Sequence, residues 1–269
     1  MHNIFLKSTK WFAARVALLA LAGFSVPASA FQPLITDNTG TQGSGGSQLE
    51  FSFNEDSEKE SGNIERLRTL PIVYTRGLTE RLEVFAGFSY ARIRSNTPGG
   101  DASGGGNPSF GAKWRFYENE ESKTSFAVKP EVLSPVSADR EGAGLGAGKT
   151  SGHLTFILTQ EVPFGAIHIN AGVGRDRYRD TLNNPDTTTT RASIAPVWDL
   201  DDQWKLALDL GTESAHAGGA KLRSDYVGLG AIYSPSKDLD FALGILRSSD
   251  NDSPRTTKHT ATAGITWRF

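Results

Sequence analysis

The chain alternates apolar and polar residues with period two, in segments of about ten residues, over most of its length. The last segment shows the pattern clearly, because Ile265, Trp267 and Phe269 share one face while Thr266 and Arg268 share the other. Such alternation predicts strands with one apolar and one polar face, and no stretch sustains the 3.6-residue period of an amphipathic helix. The expected fold class is therefore all-β.

The pattern predicts about twelve strands, with ten or fourteen as alternatives. Their expected bounds are residues 48–54, 67–77, 81–95, 109–118, 124–136, 152–162, 166–179, 191–199, 204–216, 224–233, 239–248 and 257–269. Long connectors such as "EDSEKESGN", "NTPGGDASGGGN", "SADREGAGLGAGK" and "AGGAKL" alternate with short ones such as "LTE" and "PFG". Outer-membrane barrels combine long outward loops with tight periplasmic turns. We therefore expect a transmembrane antiparallel up-and-down β-barrel.

The N-terminus has the three parts of a secretory signal peptide. Lys7, Lys10 and Arg15 precede the apolar stretch "VALLALAGFSV", and the small-residue site "PASA" follows it. The apolar stretch is too short for a spanning helix. We expect cleavage after Ala30 and export through the inner membrane.

Three regions follow from these patterns. Residues 1–30 are the expected signal peptide, residues 31–47 an expected periplasmic N-terminal segment that is a candidate plug of the lumen, and residues 48–269 the barrel. The expected location is the outer membrane of a Gram-negative cell. The expected partners are outer-membrane lipids, the barrel-assembly machinery during insertion, and small-molecule solutes.

The composition excludes several other classes of protein. Removing the signal takes away three of the 28 basic residues and none of the 30 acidic ones, and an acidic chain does not favour nucleic acid as a partner. The chain has no cysteine, so no disulfide, thiolate metal site or cysteine nucleophile is available. We predict no cofactor and no metal.

Aromatic residues cluster on the apolar parity near the predicted short turns and the C-terminus. They are Trp114, Trp198, Trp204, Trp267 and Phe269. Amphipathic aromatic rings prefer the headgroup level of a bilayer. These residues are therefore a candidate aromatic girdle on the periplasmic side.

The polar parity supplies candidate lumen-lining residues of both charge signs. They are Lys113, Arg115, Lys129, Glu131, His168, Asn170 and Asp209. Lys129 and Glu131 share a face two residues apart, and Asp209 is expected at a similar depth on another strand. A lumen of one sign selects ions of the other sign. The mixed signs indicate either a weakly selective aqueous path or a filled, salt-bridged interior.

The stretch "EGAGLGAGKT", from Glu141 to Thr150, has the spacing of a phosphate-binding loop. Such a loop binds phosphates only when it follows a buried parallel strand and opens a helix. Here it falls in a long connector between two predicted antiparallel strands. We therefore interpret it as a glycine-rich surface loop.

Several stretches together resemble a known family. They are "FQPLITDNTGTQGSGGSQLEFSF", "VYTRGLTERLEVFAGFSY", "NPSFGAKWRF" and the closing "GITWRF". They resemble the outer-membrane β-barrel "transporter" family labelled putative MetA pathway of phenol degradation, over most of residues 31–269. The resemblance implies a small barrel that passes small organic, including aromatic, compounds, and it transfers no catalytic or binding residues.

The function predicted is a channel for the passive passage of small molecules, not an enzyme. One alternative is an outer-membrane hydrolase with a site near the extracellular rim, where His153, His216 and His259 are expected. None of these histidines lies in a G-x-S-x-G or H-E-x-x-H context. Another alternative is a surface adhesin or assembly barrel that acts through its loops.

Overall fold

The computed structural model describes residues 33–60, 63–96, 100–252 and 255–269. The predicted signal peptide, residues 1–30, lies outside the described residues. The strands in chain order are β1 (Ser47–Glu60), β2 (Asn63–Thr79), β3 (Leu82–Ser95), β4 (Ala102–Gly105), β5 (Ser109–Asn119), β6 (Thr124–Leu133), β7 (Lys149–Val162), β8 (Gly165–Arg177), β9 (Thr187–Asp199), β10 (Trp204–Ala217), β11 (Ala220–Ser236), β12 (Leu239–Asp250) and β13 (Thr257–Arg268).

The strands form one closed antiparallel barrel. β1 pairs with both β2 and β13, so the first strand closes the sheet against the last. At this seam Ser47 and Phe269 exchange two backbone hydrogen bonds, each of 2.9 Å. The short β4 and the longer β5 pair with successive lengths of β3, so they form one interrupted strand of a closed 12-strand barrel. Closure satisfies the backbone donors and acceptors that lipid cannot.

The two faces of the strands differ as the alternation predicts. Leu206 and Leu210 on β10 are exposed on the outer face, whereas Ala207 and Asp209 between them are buried on the inner face. Large exposed side chains on the other strands are likewise mostly apolar or aromatic, including Leu243 and Ile265. An apolar surface this extensive suits a lipid environment rather than water.

Three connectors differ from the expectation of long outward loops. β1 continues through most of "EDSEKESGN" to Glu60, and β4 lies within "NTPGGDASGGGN". The stretch "AGGAKL" is a tight turn in which Gly218 and Gly219 have φ of 56° and 83°, as a two-residue hairpin requires. The polar and charged residues of these connectors predicted loops. The strands continue through them because the backbone hydrogen bonds between strands do not depend on side-chain polarity.

A fourth connector contains a short helix, α1 (Ala138–Gly142). Ser137 caps it, since the Ser137 hydroxyl accepts a hydrogen bond from the backbone of Arg140. In the described part of the chain, no helix is both long enough and apolar enough to cross a membrane.

Candidate functional site: the barrel lumen

An ion-pair cluster lies inside the barrel where the N-terminal segment, residues 33–46, meets β5 and β6. The Nζ of Lys129 lies 2.8 Å from Oδ2 of Asp37, and the Nζ of Lys113 lies 3.6 Å from Oδ1 of the same carboxylate. Lys113 also pairs with Glu83 at 3.3 Å. All four side chains are buried, so each charge depends on its partners rather than on water.

The protonation of Asp37 follows from these contacts. Burial raises the pKa of Asp37, but the neighbouring Lys113 and Lys129 lower it by more, so the pKa lies below its ordinary value of 3.8. Asp37 is therefore a carboxylate at neutral pH. It holds the segment against two strands through charge-assisted contacts.

Asp209 on β10 binds the segment at a second point. Its Oδ2 accepts hydrogen bonds from the backbone nitrogens of Ile35 and Thr36 at 2.7 and 3.0 Å. Its Oδ1 accepts a hydrogen bond from the Thr36 hydroxyl at 2.7 Å. Asp209 is only 1% exposed, and a buried carboxylate requires such donors. The segment thus supplies hydrogen bonds that this carboxylate needs.

Asn170 and His168 face the segment from β8. The Asn170 side chain accepts from the Asp37 backbone nitrogen at 2.7 Å and donates to the Asp37 carbonyl at 2.9 Å. His168 Nδ1 lies 3.0 Å from the Thr159 hydroxyl, which also accepts from the Thr39 nitrogen at 3.1 Å. Polar side chains of the barrel wall therefore form hydrogen bonds with backbone groups of the segment.

Both ends of the segment pack against glycines of the wall. A Cβ at Gly77 would lie 1.7 Å from the carbonyl oxygen of Gly43, and a Cβ at Gly230 would lie 2.6 Å from Cγ of Pro33. Only glycine permits this approach without moving the segment. The segment consequently crosses the lumen from β11 to β2.

Six of the seven lumen candidates from the sequence are buried inside the barrel. The exception is Arg115, which lies near a short turn, donates to the Glu80 carbonyl at 2.9 Å and pairs with Glu118 at 3.1 Å. The sequence reasoning missed Asp37, because residues 33–46 show no alternation that would mark an inward side chain. Asp37 and the adjacent residues of the N-terminal segment contact Lys129, Asn170 and Asp209, so these three wall residues share one segment as a partner.

Two cavities adjoin the segment on the side of the outward loops. The first lies against β6–β9 and measures about 710 Å³ including its mouth. The second lies mainly against β10–β13 and measures about 630 Å³ on the same basis. Ile35 and Arg191 line both cavities, so the two spaces meet at these residues.

The outward connector of residues 134–148 folds into the mouth of the barrel, unlike the surface loop that the sequence predicted. Leu145 is 2% exposed and packs with Leu67, Ala91 and Ile93. Glu141 accepts hydrogen bonds from the backbone and side chain of Arg179 at 2.6 and 3.1 Å. The connector therefore extends from β3 across to the loop after β8.

The same connector contains the glycine-rich stretch with phosphate-loop spacing. Lys149 is the first residue of β7, so a strand and not a helix follows the glycines. The amide of Asn107 instead holds the connector, donating to the carbonyls of Ser134 and Ala147 at 2.7 Å each. The stretch lacks the helix N-terminus that phosphate binding needs.

The predicted girdle residues all lie on the outer surface. Trp114, Trp198, Trp204, Trp267 and Phe269 are between 37% and 59% exposed. Each contacts another aromatic ring, and the partners missed by the sequence reasoning are Phe116, Phe164 and Tyr233. Contact between these rings and lipid headgroups stays a prediction.

Among the described residues, no group of three or more His, Cys, Asp or Glu side chains is arranged to hold a metal ion. The closed barrel, its apolar outer face and its polar interior define the class of protein, an outer-membrane β-barrel. The chain belongs to the family described as "Putative MetA-pathway of phenol degradation", whose model matches residues 22–269. The resemblance expected from the sequence is confirmed.

Solved structures share the fold at low sequence identity. An outer-membrane channel from Pseudomonas putida F1 is 13% identical with a TM-score of 0.69, over 86% of this chain and 98% of that one. The translocator domain of the autotransporter NalP from Neisseria meningitidis is 15% identical with a TM-score of 0.55, over 95% and 97% of the two chains. The search of curated proteins found no match.

Proposed function

We propose that this protein is a channel for the passive passage of small molecules across the outer membrane, and that its solutes include small organic and aromatic compounds. The observation that carries the proposal is the pair of adjoining cavities inside a closed barrel, open toward the outward loops. The family description refers to phenol degradation, and one structure of similar fold is described as an outer-membrane channel. The family description supports small organic solutes, and the similar fold supports a barrel of the channel type.

The N-terminal segment is the plug of this channel in our proposal. Its contacts with Lys129, Asp209 and Asn170 are polar, and water can replace polar contacts when a segment moves. The apolar contacts of Leu34 with Ala195, Val197 and Ala207 resist such movement, because water does not compensate for their loss. Passage would accordingly require the segment to shift or leave the lumen.

The lumen would discriminate weakly between ions of opposite sign. Lys113 is paired with Glu83, and Arg191 is paired with Glu213, so both pairs lie within the wall and remain when the segment moves. Paired opposite charges cancel each other's field within about a Debye length, roughly 8 Å at physiological salt. Neutral and weakly charged solutes would therefore cross about as readily as ions of similar size.

We assign no catalytic step to this chain. His153 is the rim histidine with the most contacts, and its Nε2 lies 3.3 Å from Asp176 while its Nδ1 lies 3.8 Å from Glu131. Both ring nitrogens face carboxylates, which leaves neither to take a proton from a hydroxyl nucleophile.

Outer-membrane lipids and the assembly machinery are the further partners we propose.

Planar-bilayer recordings test the proposal directly. We expect the refolded mature protein to show small, intermittent currents, and a variant that lacks residues 31–46 to show larger and steadier ones. The solute class is then tested by the uptake of phenol into liposomes that contain either protein. Absence of conductance and of uptake above empty membranes in both proteins would overturn the proposal.

A further inference from the structure

Four arginines form two cross-strand pairs on the outer face of β2 and β3, close to the outward connectors after β1 and β3. Arg66 lies directly opposite Arg94 in the antiparallel register, and Arg68 lies directly opposite Arg92. All four side chains are exposed on the outer parity of their strands. Like charges directly opposite each other destabilise a pair of strands. Two such pairs in succession therefore indicate that an anion accompanies the arginines.

The protein supplies only part of the opposing negative charge. Arg68 pairs with Glu55 on β1, and Nε and Oε2 are 2.6 Å apart. The other three guanidinium groups form no ion pair and no hydrogen bond within the described part of the chain. On the opposite flank Asp101 is exposed, and its Oδ1 accepts a hydrogen bond from the backbone nitrogen of Ser95 at 3.0 Å. The four arginines are therefore in excess over their acidic neighbours.

Two apolar pairs follow the arginines on the same face, toward the middle of the barrel. Leu70 lies opposite Tyr90, and Ile72 lies opposite Phe88. These four side chains are between 40% and 49% exposed, so the outer face next to the arginines is a continuous apolar and aromatic surface. In a membrane the acyl chains of lipids cover such a surface. An anion bound to the arginines would therefore have acyl chains directly beneath it.

The order of these pairs matches the order of groups in a phosphorylated glycolipid. A guanidinium group binds a phosphate through two parallel N–H···O hydrogen bonds. Lipopolysaccharide forms the outer leaflet of a Gram-negative outer membrane, and its lipid A phosphates lie directly above its acyl chains. The arginines lie at the outward end of the strands, next to that leaflet. Charge complementarity and the adjoining apolar surface together favour a lipid over a soluble anion.

We propose that Arg66, Arg68, Arg92 and Arg94 bind the phosphate groups of an outer-leaflet glycolipid whose acyl chains lie along the two apolar pairs. The phosphates compensate the repulsion between the opposed arginines. The site lies on the outside of the barrel, so the proposal does not depend on what crosses the lumen.

Thermal unfolding of the refolded protein in a neutral detergent tests the requirement for phosphate. The probes are diphosphoryl lipid A and the same glycolipid after removal of both phosphates. A lipid that binds the folded state raises the unfolding temperature as its concentration increases. We expect a saturable rise with diphosphoryl lipid A and none with the dephosphorylated glycolipid. Equal rises would show that acyl chains alone bind, and either this result or no rise with either probe would overturn the proposal.

Matched variants locate the binding. Arg66→Gln combined with Arg94→Gln removes one arginine pair, whereas Arg175→Gln combined with Arg177→Gln removes the same charge from the outward end of β8. Arg175 and Arg177 are also exposed, but both face Asp186. We expect the first double variant to bind diphosphoryl lipid A about ten-fold or more weakly, because charge-assisted hydrogen bonds are lost. The second should bind as the unchanged protein does, and equal losses in the two would overturn the proposal.

Two further measurements separate a lipid site from other roles of the arginines. Without lipid, the variant that lacks Arg66 and Arg94 should unfold at the same or a higher temperature than the unchanged protein, since repulsion is relieved. A lower temperature would show that the arginines serve the fold rather than a partner. Inorganic phosphate, equimolar with diphosphoryl lipid A, should leave the lipid bound. Displacement of the lipid would show a site for the free anion and would overturn the proposal.

Discussion

Lys129 and Asp37 form a buried ion pair of 2.8 Å that joins β6 to the N-terminal segment, across 92 residues of sequence. Neither side chain is more than 5% exposed. The pair connects the wall of the barrel to the element that crosses its lumen. It is therefore one of the contacts that hold the segment, beside those of Asp209 and Asn170.

Neutralising this connection should open the lumen. In Asp37→Asn, Lys113 and Lys129 lose the carboxylate that both contact, and breaking a buried pair costs about 3–5 kcal/mol. We expect the open probability in planar bilayers to rise at least ten-fold. Asp180→Asn, in the exposed loop after β8, is the control and should leave the currents unchanged. Unchanged currents in Asp37→Asn would mean that the segment does not block the path.

Acid should release the segment only at low pH. The pKa of Asp37 is below its ordinary value of 3.8 when the segment is bound, so the stabilisation is complete above that value. It is lost as the pH falls through the lowered pKa. We expect constant conductance from about pH 8 to pH 5 and an increase only below about pH 4. The variant without residues 31–46 should lack this increase, and an increase near pH 6 would assign the transition to another group.

A charge on the lipid face should impair assembly far more than the same charge in the lumen. Ile245 and Leu246 are adjacent on β12, but Ile245 is 65% exposed on the outer face while Leu246 lines the second cavity. Ile245→Arg should cost about 2–4 kcal/mol near the midplane. In Leu246→Arg, the introduced side chain can approach the carboxylates of Glu213 and Asp250 in the cavity. We therefore expect a smaller loss of stability in this variant. Urea titration of refolding into vesicles measures the free energy of folding of both variants. Equal losses of stability in the two would contradict the assignment of the faces.

Charge reversals in the lumen should change ion preference once the segment is removed. Without residues 31–46, the negative charge of Asp37 no longer opposes the positive charge of Lys129. In that background we expect Lys129→Glu to favour cations and Glu131→Lys to favour anions, each by about two-fold in permeability ratio. Reversal potentials in a potassium chloride gradient measure this. No shift in either variant would place the constriction elsewhere.

The outward connector should loosen when its contact with Arg179 is removed. Glu141→Ala deletes the carboxylate that accepts from Arg179, and the neighbouring Arg140 is exposed to trypsin. We expect cleavage after Arg140 to become about ten-fold faster, since a buried charged contact is lost. Asp139→Ala, exposed on the same helix, is the control. Equal rates in the two variants would show that other contacts hold the connector.

Much of the architecture could be derived from the sequence alone. The period-two alternation determined that the chain forms strands, which residues face outward, and that about twelve strands close a barrel. The positions of Lys129, Glu131 and Asp209 on the inner face followed from the same parity. This worked because side-chain direction in a strand depends only on local backbone geometry.

The tertiary structure decided which of these inner residues meet. The contact of Asp37 with Lys113 and Lys129 depends on the path of residues 33–46 through the lumen, and that segment has no periodicity to indicate its path. The burial of Leu145 likewise depends on β3 lying opposite the connector. Contacts between residues so distant in sequence arise only when the barrel closes and its stagger aligns the strands, which no local pattern encodes.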